Sequence, residues 1–148
     1  MSPAWAIIII TSAVVVYAWA QSTGSFDTTG ELTMTSWVTE RIAGAIAKAE
    51  GFLVPGSLPQ RANNPGNLKL GGETIGGKTI FSTVQEGWQA LYHQIDLMLS
   101  GQSRYYSPDM TIRQVAGIYT GHDNEEAWAK IVAGQLGVSP DTPIGSIA

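Results

Sequence analysis

The sequence predicts a mostly helical α+β domain with one small β-hairpin, preceded by an N-terminal transmembrane helix. Three observations carry that expectation. Beyond Ser36, apolar residues recur at helical spacing in four segments bounded by residues suited to helix ends. One strand signal interrupts them, Thr74-Ile75 and Lys78-Thr79-Ile80-Phe81 flanking Gly76-Gly77, a two-residue turn. Ahead of all of these, Pro3 to Ala20 is an 18-residue run without a charge.

That run, PAWAIIIITSAVVVYAWA, would span roughly 27 Å as a helix, close to the hydrocarbon thickness of a bilayer. Trp5 marks one end, and Tyr17 and Trp19 the other, as interfacial aromatics do. A core helix is rarely apolar all the way round. A cleaved signal peptide is the competing reading, since Ala18-Trp19-Ala20 resembles a processing site. The absence of Lys or Arg ahead of the run favours an anchor over residues 1–20, with residues 3–20 in the lipid bilayer. The first basic residue is Arg41, so flanking charge does not orient it. Residues 21–35, polar and rich in Thr, Ser and Gly, read as a flexible tether spanning about 20 to 25 Å. Residues 36–148 form the domain.

Composition narrows the function classes. The 148-residue chain carries a net charge of −4, and its 14% of charged residues is low for a soluble domain, where about 25% is usual. Beyond Thr35, eight basic and ten acidic residues leave −2, with no basic footprint for nucleic acid. There is no cysteine, hence no disulfide, thiol nucleophile or thiolate metal site. His93 and His122 are far apart and lack ligand spacing, so neither a metal nor a cofactor is expected.

Ser36 is the expected N-cap of the first helix, with Glu40 in its first turn. Ile42, Ala45, Ile46 and Ala49 form its inward face, and Gly51 ends it. A loop stiffened by Pro55, Pro59 and Pro65 follows. Glu73, at the start of the hairpin, is either a solvated charge or a second carboxylate, and solvation leads. Thr83 and Glu86 make a capping box for a helix to about Ser100, whose face includes Trp88, Leu91, Ile95 and Met98. His93 and Asp96 on its polar side read as a solvated pair. Tyr105-Tyr106 either stack on sugar rings or pack half-buried. Thr111 caps a short helix ending at Thr120-Gly121. Asn124 caps the last, with Trp128, Ile131, Val132 and Leu136 inward and Gly137 as its stop. Ser139 onward is a tail.

Glu50 stands out. It closes the first helix four residues after Ile46, at the edge of the apolar face. The negative end of the helix dipole and the apolar surface both disfavour a charged carboxyl there, so a raised pKa is expected, as a general acid requires. Most glutamates are merely solvated. This one precedes Asn63-Asn64-Pro65-Gly66-Asn67, whose amides offer the donors and acceptors that sugar hydroxyls need.

A helix ending Ala-Lys-Ala-Glu-Gly-Phe, the Asn-Pro-Gly-Asn loop, a Gly-rich hairpin, a helix opening on Glu86-Gly87-Trp88 and a later Tyr119-Thr120 resemble the lysozyme-like superfamily. More narrowly, they resemble its lytic transglycosylase and muramidase domains from bacteria and bacteriophage. The resemblance covers roughly Trp37 to Ile144. It implies that Glu50 is the catalytic acid and that Asn63, Asn64 and Asn67 face substrate. It also implies that Tyr119 faces the catalytic carboxyl group, with Thr120 beside it in the substrate-binding set. The chain departs from the common pattern at Tyr119-Thr120, where many transglycosylases have Tyr-Asn, and at Pro65-Gly66-Asn67-Leu68, where they carry a Gly-Leu-Met-Gln-like segment.

The implied activity is cleavage of peptidoglycan glycan strands at the MurNAc-GlcNAc bond, with the domain on the periplasmic side or within a membrane-containing virion, among other virion proteins. Between Gly51 and Gln85 the only carboxylate is Glu73. That scarcity favours a lytic transglycosylase, whose substrate supplies its own nucleophile, over a hydrolytic lysozyme-type glycosidase or chitinase-like enzyme, which ordinarily uses two acids. A catalytically inactive glycan-binding or virion structural protein is the other class.

Overall fold

A computed structural model describes residues 34–147. The apolar run Pro3–Ala20 and most of the tether lie outside them. Among the described residues no helix is long and apolar enough to cross a membrane. The fold is mostly helical with one two-stranded antiparallel hairpin, in the order α1 (Met34–Ala49), α2 (Leu58–Arg61), β1 (Thr74–Ile75), β2 (Lys78–Thr79), α3 (Val84–Leu99), α4 (Ile112–Thr120), α5 (Glu125–Leu136) and a 3₁₀ turn (Ile144–Ser146).

Helix α1 already runs at Met34, so Ser36 lies inside it and is not its cap, and Glu40 falls beyond the first turn. Serine favours an N-cap but costs only about 0.5 kcal/mol in a helix interior, and nothing in Met34-Thr35 stops a helix. The expected inward face is real: Ile42, Ala45 and Ile46 are buried, with Ala49 partly so. They meet Leu91, Ile95 and Met98 of α3, Val115 and Ala116 of α4, and Val132 of α5 in one apolar cluster. Each large aliphatic side chain so enclosed contributes roughly 1.5–3 kcal/mol.

Thr83 and Glu86 form the capping box of α3 as expected, and Thr111 and Gln114 form a second one at α4. Asn124 occupies the N-cap position of α5, but in a left-handed conformation (φ 58°) and without a side-chain hydrogen bond. The tight turn from Gly121 takes the backbone that asparagine tolerates, at the expense of capping geometry. Ile131, expected inside, is 38% exposed. Asp96 does not pair with His93; it accepts a 2.7 Å hydrogen bond from the buried Thr39 hydroxyl of α1.

In the hairpin Thr74 faces Thr79 and Ile75 faces Lys78. Gly76 and Gly77 both have positive φ (58° and 74°), as the expected tight turn demands. The strands stop at Thr79, two residues earlier than the β-rich run suggests. The reason is that Phe81 N–H turns away to Ala62 O at 2.9 Å. The C-terminal segment is tied down: Thr142 O and Pro140 O accept from the N–H groups of Ile112 and Arg113, and Ile144 is fully buried.

Candidate active-site cleft

Gly51 fixes the end of α1. With φ at 78°, it lets Phe52 N–H reach back to Ala47 O (2.9 Å) and its own N–H reach Lys48 O (3.1 Å). This is the paired closure by which a left-handed glycine satisfies the last carbonyls of a helix. Glu50 therefore sits at the cap itself, and its carboxylate enters an open cleft of about 570 Å³. Oε1 accepts from the Trp128 indole N–H of α5 at 2.8 Å, and Oε2 from the Asn67 amide at 2.8 Å. An ionised carboxylate is acceptor-only, and both of its oxygens are engaged.

The asparagine loop is built around Asn64. Its side chain is fully buried, donates to Leu68 O and Thr79 O (both 2.9 Å), and accepts from Leu68 N–H at 2.8 Å. One amide thus serves three backbone groups, two on Leu68 of the loop and one on Thr79 of β2. Asn63 and Asn67 adopt left-handed backbones (φ 52° and 51°), which asparagine tolerates better than most residues. The Asn63 amide donates to Phe81 O at 3.0 Å. At Gly87 of α3, an added Cβ would lie 1.8 Å from Asn63 O, so only glycine admits the loop there. At Gly66 a Cβ would lie 3.0 Å from the Tyr119 hydroxyl, which donates to Gly66 O at 2.6 Å.

Of the seven residues expected at the site, Glu50, Asn67, Tyr119 and Thr120 line the cleft together. Asn63, Asn64 and Glu73 are not among its lining residues. Asn64 cannot face a substrate, being sealed and saturated within the loop. Glu73 is exposed on the hairpin. The Gly71-Gly72 bend (φ 88° and 76°) immediately precedes it. Tyr119 is directed at Gly66 rather than at the Glu50 carboxylate, and the Thr120 hydroxyl donates to Ala116 O at 2.9 Å.

Trp128, Lys78 and Asp123 are among the cleft residues that escaped the sequence reading, whereas Tyr106, expected either to stack on sugar or to pack half-buried, lines the cleft half-buried. Trp128 had a signal, since a buried indole N–H generally needs a partner. Its ring packs 5.1 Å from Tyr119, which in turn lies 6.5 Å from Tyr106. Burial, reinforced by the charge of Glu50, pushes the Tyr106 hydroxyl up to about 12. The same causes, with Tyr106 added, raise Tyr119 well above its ordinary value. Both therefore present neutral hydroxyls. Burial lowers the Lys78 pKa, while Glu50 raises it and Lys69 lowers it further. Leu70 and Tyr105, 58% and 62% exposed, add apolar faces to the cleft on which a sugar ring can stack.

Among the described residues no three metal-binding side chains come together. No family model, curated protein or solved structure matches the chain, so the cleft is interpreted from its own geometry.

Proposed function

We propose that this protein cleaves peptidoglycan glycan strands between MurNAc and GlcNAc, as a lysozyme-like lytic transglycosylase. The reading includes an N-terminal membrane anchor at residues 3–20 and a domain acting from the periplasmic side or from a phage virion during cell-wall penetration. The observation that carries it is the carboxylate of Glu50, presented to an open, mixed polar and aromatic cleft and held at both oxygens by Trp128 and Asn67.

Asn67 also carries the one orphan of the site: its Oδ1 is buried without a hydrogen-bond partner. Turned over, the same amide presents that oxygen to a carboxyl O–H, so the pocket accommodates Glu50 in both protonation states. Glu50 as acid gives its proton to the glycosidic oxygen as the C1–O bond breaks. As carboxylate it then takes the proton of the muramic C6 hydroxyl, whose oxygen bonds to C1. The product is a 1,6-anhydro ring, and the acid is regenerated. A nucleophile within the substrate makes that second step intramolecular.

Glu50→Gln tests the reading. The new amide keeps the shape and pairs with either face of Asn67, but it cannot donate a proton at the glycosidic oxygen. Lysis of purified cell wall in a zymogram should fall by about 100- to 10,000-fold with the fold intact. Wild-type lysis by that variant would sink the proposal. Hydrolysis is the second reading, favoured by one observation: Asp123 also lines the cleft.

A further inference from the structure

The hairpin side of the cleft carries two lysines that the chemistry above does not use. Thr79 N–H donates to Leu68 O at 2.9 Å and Leu70 N–H to Thr79 Oγ1 at 2.8 Å, which lays residues 68–70 along β2. Lys69 and Lys78 thereby line the same cleft, near enough for the charge of one to register at the other. Lys78 is half-buried, and among the described residues its side-chain ammonium makes neither a hydrogen bond nor an ion pair. Arg113 and Lys130, by contrast, both pair with carboxylates. Acids are in surplus in this domain, ten against eight bases beyond Thr35, yet among the described residues none pairs with Lys78, which feels the charge of Glu50 only across the cleft. Burial acts on Lys78 more strongly than the opposite charge of Glu50, so holding this ammonium partly out of water beside a second cation is unfavourable in the empty protein. An arriving anion would relieve it.

We propose that the hairpin side of the cleft is a subsite for a carboxylate carried by the glycan, with Lys78 as its principal contact and Lys69 as support. The inference rests on the glycan-cleaving reading and deepens it: the preferred substrate is an anionic glycan and not a neutral one. Two substituents of the same strand supply that chemistry, the lactyl group on alternate sugars and the free carboxylates of attached peptides. In both cases the sugar backbone lies along Glu50 and the substituent turns toward β2.

The test is binding to the full-length chain carrying Glu50→Gln, which stops turnover, measured by calorimetry at low salt. Three probes are used: neutral N-acetylglucosamine oligomers, peptide-free strands of equal length bearing lactyl carboxylates, and strands whose lactyl groups are capped by peptides. A charge-assisted contact predicts about tenfold tighter binding of an anionic strand than of the neutral oligomer. That preference should shrink in high salt, vanish in Lys78→Met and survive in Lys78→Arg. Preference for the peptide-free strand assigns the lactyl group, and preference for the capped strand assigns the peptide. Equal affinity for neutral and anionic glycans overturns the subsite while leaving the functional reading standing. So does a Lys78→Met chain that loses affinity for both alike, which would mark a packing role. No binding of any glycan by a folded chain overturns both.

Discussion

Trp128 donates its indole N–H to Oε1 of Glu50 at 2.8 Å, joining residues 78 apart in sequence. One comes from the last helix and the other from the end of the first. The bond makes the position of the acid depend on the packing of α5, where Trp128 is 4% exposed. Trp128→Phe keeps an aromatic ring against Tyr119 and removes only the donor. Glu50 would then be held by Asn67 alone. Because small misplacements of a reacting group are expensive, kcat should fall about 10- to 100-fold while KM changes little. Stability should drop by roughly 1 kcal/mol. Equal losses in kcat and in thermal stability across temperature would instead mark Trp128 as a core residue only.

Asn64 and Asn67 separate structure from function within one loop. Asn64→Ala removes three buried hydrogen bonds and strands the groups they served. The expected loss is roughly 2–4 kcal/mol, a fall in Tm on the order of 10 °C. Asn67→Ala removes a single contact to Glu50 at the cleft surface. Its thermal cost should be about 1 kcal/mol, part of it the left-handed backbone, with the larger effect on turnover. Thermal melts and rates on the two variants decide the division. A stable, inactive Asn64→Ala would reverse it.

The tyrosine pair gives a pH signature. Tyr106 is pushed up to about 12 and Tyr119 is raised well above its usual value, both first by burial and then by the charge of Glu50. The unfolded hydroxyl ionises near pH 10. A folded pKa above the unfolded one means that the folded state prefers the proton. The contribution is thus complete below about pH 10 and is lost as pH rises through about 12. Lys78, whose pKa is lowered, works in the opposite sense. Denaturation midpoints of the wild type and Tyr106→Phe should therefore run parallel below about pH 10 and converge or cross above it. Curves that stay parallel to pH 12 would contradict a buried hydroxyl at Tyr106.

What was legible in the sequence was local. Thr83 and Glu86 are three residues apart, and their reciprocal bonds depend on little else. Gly76-Gly77 permits the positive φ values that the hairpin takes. Glu50 was legible because helical spacing and the following Gly51 place it without reference to the rest of the chain. What was not legible required distance. Asn64 and Asn67 have the same side chain and near-identical surroundings in sequence; only the turn through Pro65-Gly66 sends one inward and the other to Glu50. Trp128 satisfies the periodicity of a core residue, and that pattern does not reveal that its N–H points at a carboxylate. Asn124 carries the residue type of a cap without the geometry of one.

The same limit governs the second carboxylate, on which the product depends. Sequence proximity pointed to Glu73, but it is exposed outside the cleft, whereas Asp123, in the turn between α4 and α5, lines it. Hydrolysis ordinarily requires a second carboxylate as nucleophile or as base for water. An intramolecular attack by the C6 hydroxyl requires none. If Glu50 works alone, Asp123→Asn and Glu73→Gln should each retain the rate within roughly threefold, because neither touches the transition state. Mass spectrometry of the digest should show anhydromuramic ends, one water lighter than reducing ends, in the wild type and in both variants. A loss of about 100-fold or more in Asp123→Asn, together with reducing ends in the wild-type digest, would favour the hydrolytic reading, with Asp123 as the second carboxylate beside Glu50. Loss in Glu73→Gln alone has no route through the cleft and would require the hairpin to move on substrate binding.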